Sequence, residues 1–318
     1  MKTLKVGILG CGTVGGGTYD ILTKNHDLIM ERTGVDIKVT KILDKRHRED
    51  IPAFLYTDVP EEVTQSTDVD VVVETLGGID FPKTVMADAL MHGKHVVTAN
   101  KAAIAPNLRY LTDLAKNNGV EFLYEASVGG GIPVLTAIRN QLSGNNFVEV
   151  MGIVNGTTNY ILTKMTEEGA KYEDVLKDAQ QKGFAEADPT ADVDGIDAAN
   201  KLSILIALLF DKYIDPMDIP RVGIRHLTQL DIGEAAVKNQ KIKLIAHAKL
   251  DDKGELKCSV KPEGIDNSHP LACVSNEFNA IYVVGDMVGE TMFYGKGAGA
   301  LPTGSAIVGD IIAIAKKI

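Results

Sequence analysis

Val6-Gly7-Ile8-Leu9-Gly10-Cys11-Gly12-Thr13-Val14-Gly15 decides the fold. A short apolar run with β-branched members leads directly into a complete G-x-G-x-x-G, and a helix-like stretch follows it. Strand, glycine loop and helix in this order are the context a dinucleotide fingerprint requires. Gly10 permits the tight turn, Gly12 lets a pyrophosphate approach the backbone, and Gly15 lets the helix pack close to the strand. The start of the helix then offers its free N–H groups to phosphate oxygens. Without a ligand, the same residues make a tight strand–helix turn.

The flanking sequence favours the dinucleotide reading. Apolar strand-like runs recur at 37–43, 69–73, 95–98 and 120–124, and helix-like stretches at 14–31, 82–92 and 108–118 separate them. This alternation predicts βαβ units and a parallel sheet buried on both faces, with the post-strand loops along one edge. The second strand ends at Asp44-Lys45-Arg46. An acid there accepts hydrogen bonds from the adenine ribose and favours NAD. Its distance from Gly10 exceeds the ~20 residues of the compact motif, and the long segment 23–36 accounts for the excess. Lys45 and Arg46 suit a 2′-phosphate and hence NADP. Both signals are present; the reading favours NAD and leaves dual use open.

At roughly 150 residues per domain, 318 residues suggest two domains. After about residue 133 the alternation loosens. A strand at 147–154 precedes helices at 160–166, 172–182 and 196–210, and strands follow at 242–250, 256–261, 280–284 and 291–294. Runs of helices and then strands predict an α+β domain with an antiparallel sheet whose outer face serves as a dimer surface. A last helix, 303–317, follows the glycine-rich stretch 295–299. The expected architecture is α/β: a Rossmann-type nucleotide domain over 1–133, joined by the C-terminal helix 302–318, and an α+β catalytic and dimerisation domain over 134–301.

Composition excludes other classes. With 45% hydrophobic and 24% charged residues, the chain is neither disordered nor a collagen-like or disulfide scaffold. A formal charge of −10 argues against a nucleic-acid partner, and the densest basic stretch, Lys45 to Arg48, is followed at once by Glu49 and Asp50. Cys11, Cys258 and Cys273 show no CxxC spacing, which suits a reducing cytoplasm and no thiolate metal site. No apolar run reaches the ~18 residues of a membrane span, and the N-terminus does not read as a signal peptide.

The richest polar segment is GFAEADPTADVDGIDAANKL at 183–202. It holds Glu186, Asp188, Asp192, Asp194, Asp197 and Lys201. Pro189 breaks any preceding helix, and Asp194 suits the N-cap of the next one. Asp197 and Lys201 stand at i, i+4 on one helix face. Read alone, they form a surface ion pair beside a solvated acidic loop. A calcium loop is excluded by Pro189 and by the absence of the terminal Glu.

These motifs together resemble homoserine dehydrogenases. The likeness extends from Gly7 to about Asp310 through GILGCGTVGGG at 7–17, VVTANK at 96–101, YEASVGGGIP at 124–133, GIVNGTTNYIL at 152–162, the 183–202 segment and GKGAGALPTGSA at 295–306. The first block is common to many oxidoreductases; the 124–133 and 183–202 blocks are far more specific. Many members carry a C-terminal regulatory amino-acid-binding domain, and the expectation here is a short form without one. The resemblance implies reversible NAD(P)-dependent hydride transfer between L-homoserine and L-aspartate 4-semialdehyde, in threonine and methionine biosynthesis. It implies Lys201 as the catalytic lysine, Lys101 as a second active-site lysine and Asp197 as a residue that orients Lys201. It assigns Glu186, Asp192, Gly156 and Thr157 to the substrate. The cofactor set it implies is Gly10, Gly12, Thr13, Val14, Gly15, Asp44, Lys45, Thr75, Lys101 and Gly299. It further implies a monovalent cation, sodium, at Glu125, Val128, Gly130 and Ile132, where oxygen ligands suit a hard cation. Without the cation the same block is a glycine-rich turn before a helix that starts at Pro133. The implied partners are the small-molecule substrate and a second copy of the chain, as a homodimer or higher homo-oligomer. The rivals are another Rossmann-type dehydrogenase and a nonenzymatic NAD(H) sensor. The acidic loop with a lysine four residues after Asp197 speaks against both.

Overall fold

The computed structural model describes residues 2–317. The chain divides into two units, Met1–Gly131 with Ala298–Ile318, and Ile132–Gly297.

The first unit is built on a six-stranded parallel sheet of β1 (Lys2–Leu9), β2 (Val35–Leu43), β3 (Tyr56–Thr57), β4 (Val71–Glu74), β5 (His95–Thr98) and β6 (Phe122–Leu123). The order is β3-β2-β1-β4-β5-β6. This is the doubly wound order, which reverses direction between β1 and β4 and leaves a crevice at the carboxyl ends of those strands. Val71, Val72 and Val73 are fully buried, as strands covered on both faces require.

The helix Ala300–Ala315 packs against Thr13–Lys24, the helix that opens at the glycine loop. Two glycines permit the approach. A Cβ at Gly17 would overlap the Ala300 carbonyl oxygen, and one at Gly304 would lie 2.9 Å from the Gly17 backbone. Ile307, Ile311 and Ile314 then reach the sheet core fully buried.

The helix expected over 14–31 is two helices, Thr13–Lys24 and His26–Thr33. Asn25 at the break is a poor helix former. The second helix carries its own first-turn acid, Asp27, and ends on Gly34 in the left-handed region. β3, only two residues long, has no periodicity for a sequence reading to detect.

The second unit holds a five-stranded antiparallel sheet of β7 (Phe147–Ile153), β8 (Gln240–Leu250), β9 (Leu256–Asp266), β10 (Phe278–Gly285) and β11 (Gly289–Lys296), in the order β11-β10-β7-β8-β9. Ile153, Ile245, Ile265, Leu271, Val274, Ala280 and Tyr282 cluster in its core. The helix expected from residue 160 begins at Gly156, because Asn155 caps it by accepting the Thr158 N–H at 2.9 Å. A further helix, Gln229–Val237, lies outside the expected set. It opens on a capping box of Thr228 and Asp231.

Candidate active site

In the first unit, the glycine loop sits at the carboxyl end of β1, beside the point where the strand order reverses. Gly10 has φ +90°, a conformation other residues rarely adopt. A Cβ on Gly15 would overlap the Gly10 carbonyl oxygen and lie 2.7 Å from Thr75 Oγ1. An added Cβ at Gly12, by contrast, would meet nothing within 4 Å, and Gly12 is exposed. Gly12 also caps the twelve-residue helix Thr13–Lys24 without contributing a side chain. Open backbone at a helix N-terminus fits a pyrophosphate, so these residues suit a bound dinucleotide. Thr13 is exposed and Val14 half-buried in that first turn. Thr75 donates from Oγ1 to the Gly10 carbonyl at 2.6 Å and ties the loop after β4 to the fingerprint.

Asp44, just after β2, accepts from the Cys11 N–H at 2.6 Å and from the Arg46 N–H at 2.8 Å. The carboxylate is therefore fixed against the glycine loop while keeping acceptor capacity for a ribose. Lys45 and Arg46 are exposed. Arg48, which the sequence reading treated only as part of a basic stretch, pairs with Asp20 at 2.8 Å and Asp50 at 2.6 Å. These two carboxylates hold its guanidinium well above its ordinary range. Lys101, half-buried, opens a short helical turn after β5 that Asn100 caps. Gly299, at φ +122°, caps the Ala300–Ala315 helix.

Glu125, Val128 and Gly130 belong to this unit and are buried. The Glu125 N–H donates to Asp310 at 2.9 Å, and Gly129 and Gly130 take positive φ. Ile132 opens the second unit, where its carbonyl accepts the Val134 N–H at 2.9 Å. Among the described residues, no group of three or more His, Cys, Asp or Glu is placed to hold a metal ion.

In the second unit the acidic segment and the GIVNGTT segment meet. Lys201 lies on the helix Ile196–Phe210 and is 8% exposed. Its Nζ donates to Asp197 Oδ2 at 2.7 Å and to the Val154 carbonyl at 2.6 Å. The i, i+4 pair is thus a buried one, not a surface ion pair, because the helix turns this face toward β7 and the Asn155 turn. Asn155 completes the cluster: its Nδ2 donates to Asp197 at 3.0 Å and to Asp192 at 2.7 Å. The Thr157 hydroxyl lies 2.6 Å from the Phe184 carbonyl and 3.1 Å from Asp192 Oδ2. Burial, and then the Asp197 charge beside it, push the Asp192 carboxyl above its ordinary range, partly offset by the Asn155 and Thr157 hydrogen bonds.

Asp194 does not cap the helix. Gly195, at φ +78°, takes that position, while Asp194 accepts from Arg225 Nε at 2.5 Å. A Cβ on Gly156 would lie 2.7 Å from the Glu277 carbonyl oxygen, so packing alone requires glycine there. Glu186 is exposed on the adjoining loop, with its backbone carbonyl accepting from Gln180 at 3.1 Å. Sequence reasoning missed Asn155. Its signal was the Asn-Gly-Thr-Thr run, an N-cap residue directly after a strand.

A doubly wound sheet with a glycine loop at its switch point, and a lysine–carboxylate cluster buried in a second unit, define a nicotinamide-dependent oxidoreductase. Residues 10–125 match the model of the NAD-binding domain of homoserine dehydrogenase, and residues 133–312 match that of homoserine dehydrogenase. The homoserine dehydrogenase of Bacillus subtilis (strain 168) is 45% identical over 322 residues, covering 100% of this chain and 74% of its own length. The crystal structure of a homoserine dehydrogenase from Thiobacillus denitrificans superposes with a TM-score of 0.95 at 39% identity, over 99% of this chain and 74% of the other. A hyperthermophilic archaeal homoserine dehydrogenase in complex with NADPH gives 0.83 at 28% identity, over 99% and 98%. The chain belongs to the homoserine dehydrogenase family. It is an amino-acid biosynthesis enzyme that acts on a CH–OH donor with a nicotinamide cofactor.

Proposed function

We propose that Lys201 is the acid–base group of a reversible conversion of L-homoserine to L-aspartate 4-semialdehyde. The observation that carries this reading is the buried ammonium of Lys201, bracketed by Asp197 and the Val154 carbonyl. In oxidation, neutral Lys201 takes the hydroxyl proton while hydride leaves the carbinol carbon. In the reverse direction, the Lys201 ammonium attracts the charge that develops on the aldehyde oxygen and supplies the proton. The nicotinamide, when bound, accepts or gives the hydride. Asp197 orients Lys201, Asp192 and the Gly156-Thr157 turn bind the substrate, and Lys101 is the second active-site lysine. The test is NADH formation at 340 nm with L-homoserine at alkaline pH; no homoserine-dependent absorbance overturns the reading.

Glu186 binds the substrate ammonium from its exposed loop. Glu186→Gln is expected to raise KM for homoserine by about 10- to 100-fold and to leave KM for the cofactor unchanged, since charge-assisted hydrogen bonds are worth roughly 1.5–3 kcal/mol. Steady-state kinetics with both substrates varied checks this. An unaltered KM and kcat for homoserine places Glu186 outside the substrate site.

Asp44 sets the preference for NAD, and the NADPH complex of the archaeal relative makes dual use the natural comparison. Asp44→Ser removes the repulsion toward a 2′-phosphate and leaves Lys45 and Arg46 in place. The NADP+/NAD+ ratio of kcat/KM is expected to rise by about tenfold, the equivalent of ~1.4 kcal/mol. Parallel titration with both cofactors measures it.

A monovalent cation, sodium, is held by Glu125, Val128, Gly130 and Ile132, in a segment where Gly129 and Gly130 both take positive φ. A second copy of the chain covers the open sheet face on which Met292 and Tyr294 of β11 stand exposed. The enzyme works in the cytoplasm; all three cysteines are free, and no described helix is long and apolar enough to cross a membrane.

A further inference from the structure

We propose that Glu74 is a positioning residue for the reaction: it fixes the backbone that carries Lys101 and the loop that follows β4 as one rigid piece. Glu74 ends β4, is fully buried, and stands opposite Leu9 of β1 on one side and Thr98 of β5 on the other. It therefore lies beneath the carboxyl edge of the sheet, where the glycine loop also sits. Val71 to Val73 show that this strand is otherwise filled by apolar side chains. A carboxylate in such a place is costly and needs strong donors.

The donors are arranged in a chain. Thr98 Oγ1 donates to Glu74 Oε2 at 2.5 Å and itself accepts the Asn100 N–H at 3.0 Å. The Leu76 N–H donates to Glu74 Oε1 at 2.8 Å, and Asn100 Nδ2 approaches the same oxygen at 3.4 Å. Asn100 Nδ2 also reaches the carbonyls of Leu76 at 3.2 Å and Gly78 at 3.0 Å, while its Oδ1 accepts from the Ala103 N–H at 3.0 Å. Lys101 is the next residue along the chain. The Glu74 carboxylate oxygens accept from the Leu76 N–H, the Thr98 hydroxyl and Asn100 Nδ2, which join loop 75–78 to the turn 98–103.

The proton positions give this arrangement its direction. A backbone N–H can only donate, so Thr98 Oγ1 must accept from Asn100. Its other contact is the 2.5 Å bond to Glu74 Oε2, in which the Thr98 hydroxyl donates while Glu74 is ionised. A glutamine at 74 keeps one acceptor and turns an N–H toward the Leu76 N–H or the Thr98 hydroxyl, so one end of the chain is lost or Thr98 must turn its proton away from position 74. Misplacing a reacting group by about 1 Å can cost roughly 10²-fold in rate.

The inference rests on the reading of Lys101 as an active-site lysine, so Lys101→Met is measured beside Glu74→Gln, Thr98→Val, Thr98→Ser and the Glu74→Gln/Thr98→Val double variant. The readouts are kcat, KM for homoserine, NADH affinity by fluorescence, and thermal unfolding. Glu74→Gln and Thr98→Val are each expected to lower kcat by roughly 10- to 100-fold, with KM for homoserine held within about threefold. Thr98→Ser keeps the hydroxyl and is expected to retain kcat. The double variant is expected to be no slower than Glu74→Gln alone, because both changes break one chain. Wild-type kcat in folded Glu74→Gln with an inactive Lys101→Met overturns the role of Glu74 and leaves Lys101 standing. Losses that multiply in the double variant also overturn it. Full activity of Lys101→Met overturns the Lys101 reading and, with it, the purpose of the chain. Should Glu74→Gln fail to fold, Thr98→Val carries the same test, and its wild-type kcat overturns the proposal.

Discussion

Lys201→Ala is expected to lower kcat by about 10²–10⁴ while NADH still binds with its normal affinity. The lysine is the proton donor and acceptor for the reacting oxygen, so its loss removes acid–base help in both directions. The dinucleotide loop belongs to the other unit of the fold, and Lys201 Nζ donates to Asp197 and the Val154 carbonyl in its own unit. Truncation also leaves Asp197 and Asp192 bracketed by Asn155 without the ammonium, which raises the ionisation cost of both carboxyls. Lys201→Met fills the space with an apolar chain and separates lost chemistry from lost packing. Single-turnover kinetics, NADH fluorescence titration and circular dichroism on both variants check this result. A folded variant with wild-type kcat would falsify the assignment.

The first unit was legible because its signals are local. Each strand is an apolar run, each crossover a periodic one, and Gly10, Gly12 and Gly15 answer to backbone geometry that no other residue meets in that pattern. What escaped was short or depended on a side chain in an unusual role. β3 is two residues long. The split at Asn25 is a single poor helix former inside an otherwise periodic stretch. In the site, Lys201, Asp197 and Asp192 were marked by type and spacing and Thr157 by the family resemblance alone, and the fold brings them together. Whether the i, i+4 pair was buried or solvated could not be read from spacing, because burial is decided by β7 and the Asn155 turn, more than 40 residues away in sequence. Glu74 gave no signal for the same reason, and Asn155 showed only as an N-cap after a strand: their other hydrogen bonds join distant segments. Gly195 displaced Asp194 from the cap because Asp194 meets Arg225, 31 residues on.

Asp197→Asn is expected to shift the pH dependence of both directions downward and to destabilise the fold. Asp197 Oδ2 accepts from the Lys201 ammonium at 2.7 Å, and both side chains are about nine-tenths buried. An amide keeps the shape and one acceptor but removes the negative charge. The ammonium is then buried beside neutral oxygens, with Asp192 the remaining acid of the cluster. Breaking a buried pair by neutralising one partner costs about 3–5 kcal/mol, and the lysine escapes part of that cost by losing its proton at lower pH. The sign for each direction follows. Homoserine oxidation needs neutral Lys201, so its rise with pH moves to lower pH. Semialdehyde reduction needs the ammonium, so its fall with pH also moves to lower pH. At neutral pH the variant therefore loses reduction more than oxidation, and the ratio of the two initial rates reports the shift without reference to total active enzyme. Loss of the Asp197 charge also relieves Asp192, whose carboxyl that charge helps to push up. Asp192, left as the acid of the cluster, supplies part of the field at Lys201, which limits the shift. Asp192→Asn added to Asp197→Asn removes that compensation and is expected to move both profiles further in the same direction. Initial rates from pH 6 to 10 in both directions, with thermal unfolding measured alongside, check the assignment; profiles of unchanged position show that Asp197 does not govern the protonation of Lys201.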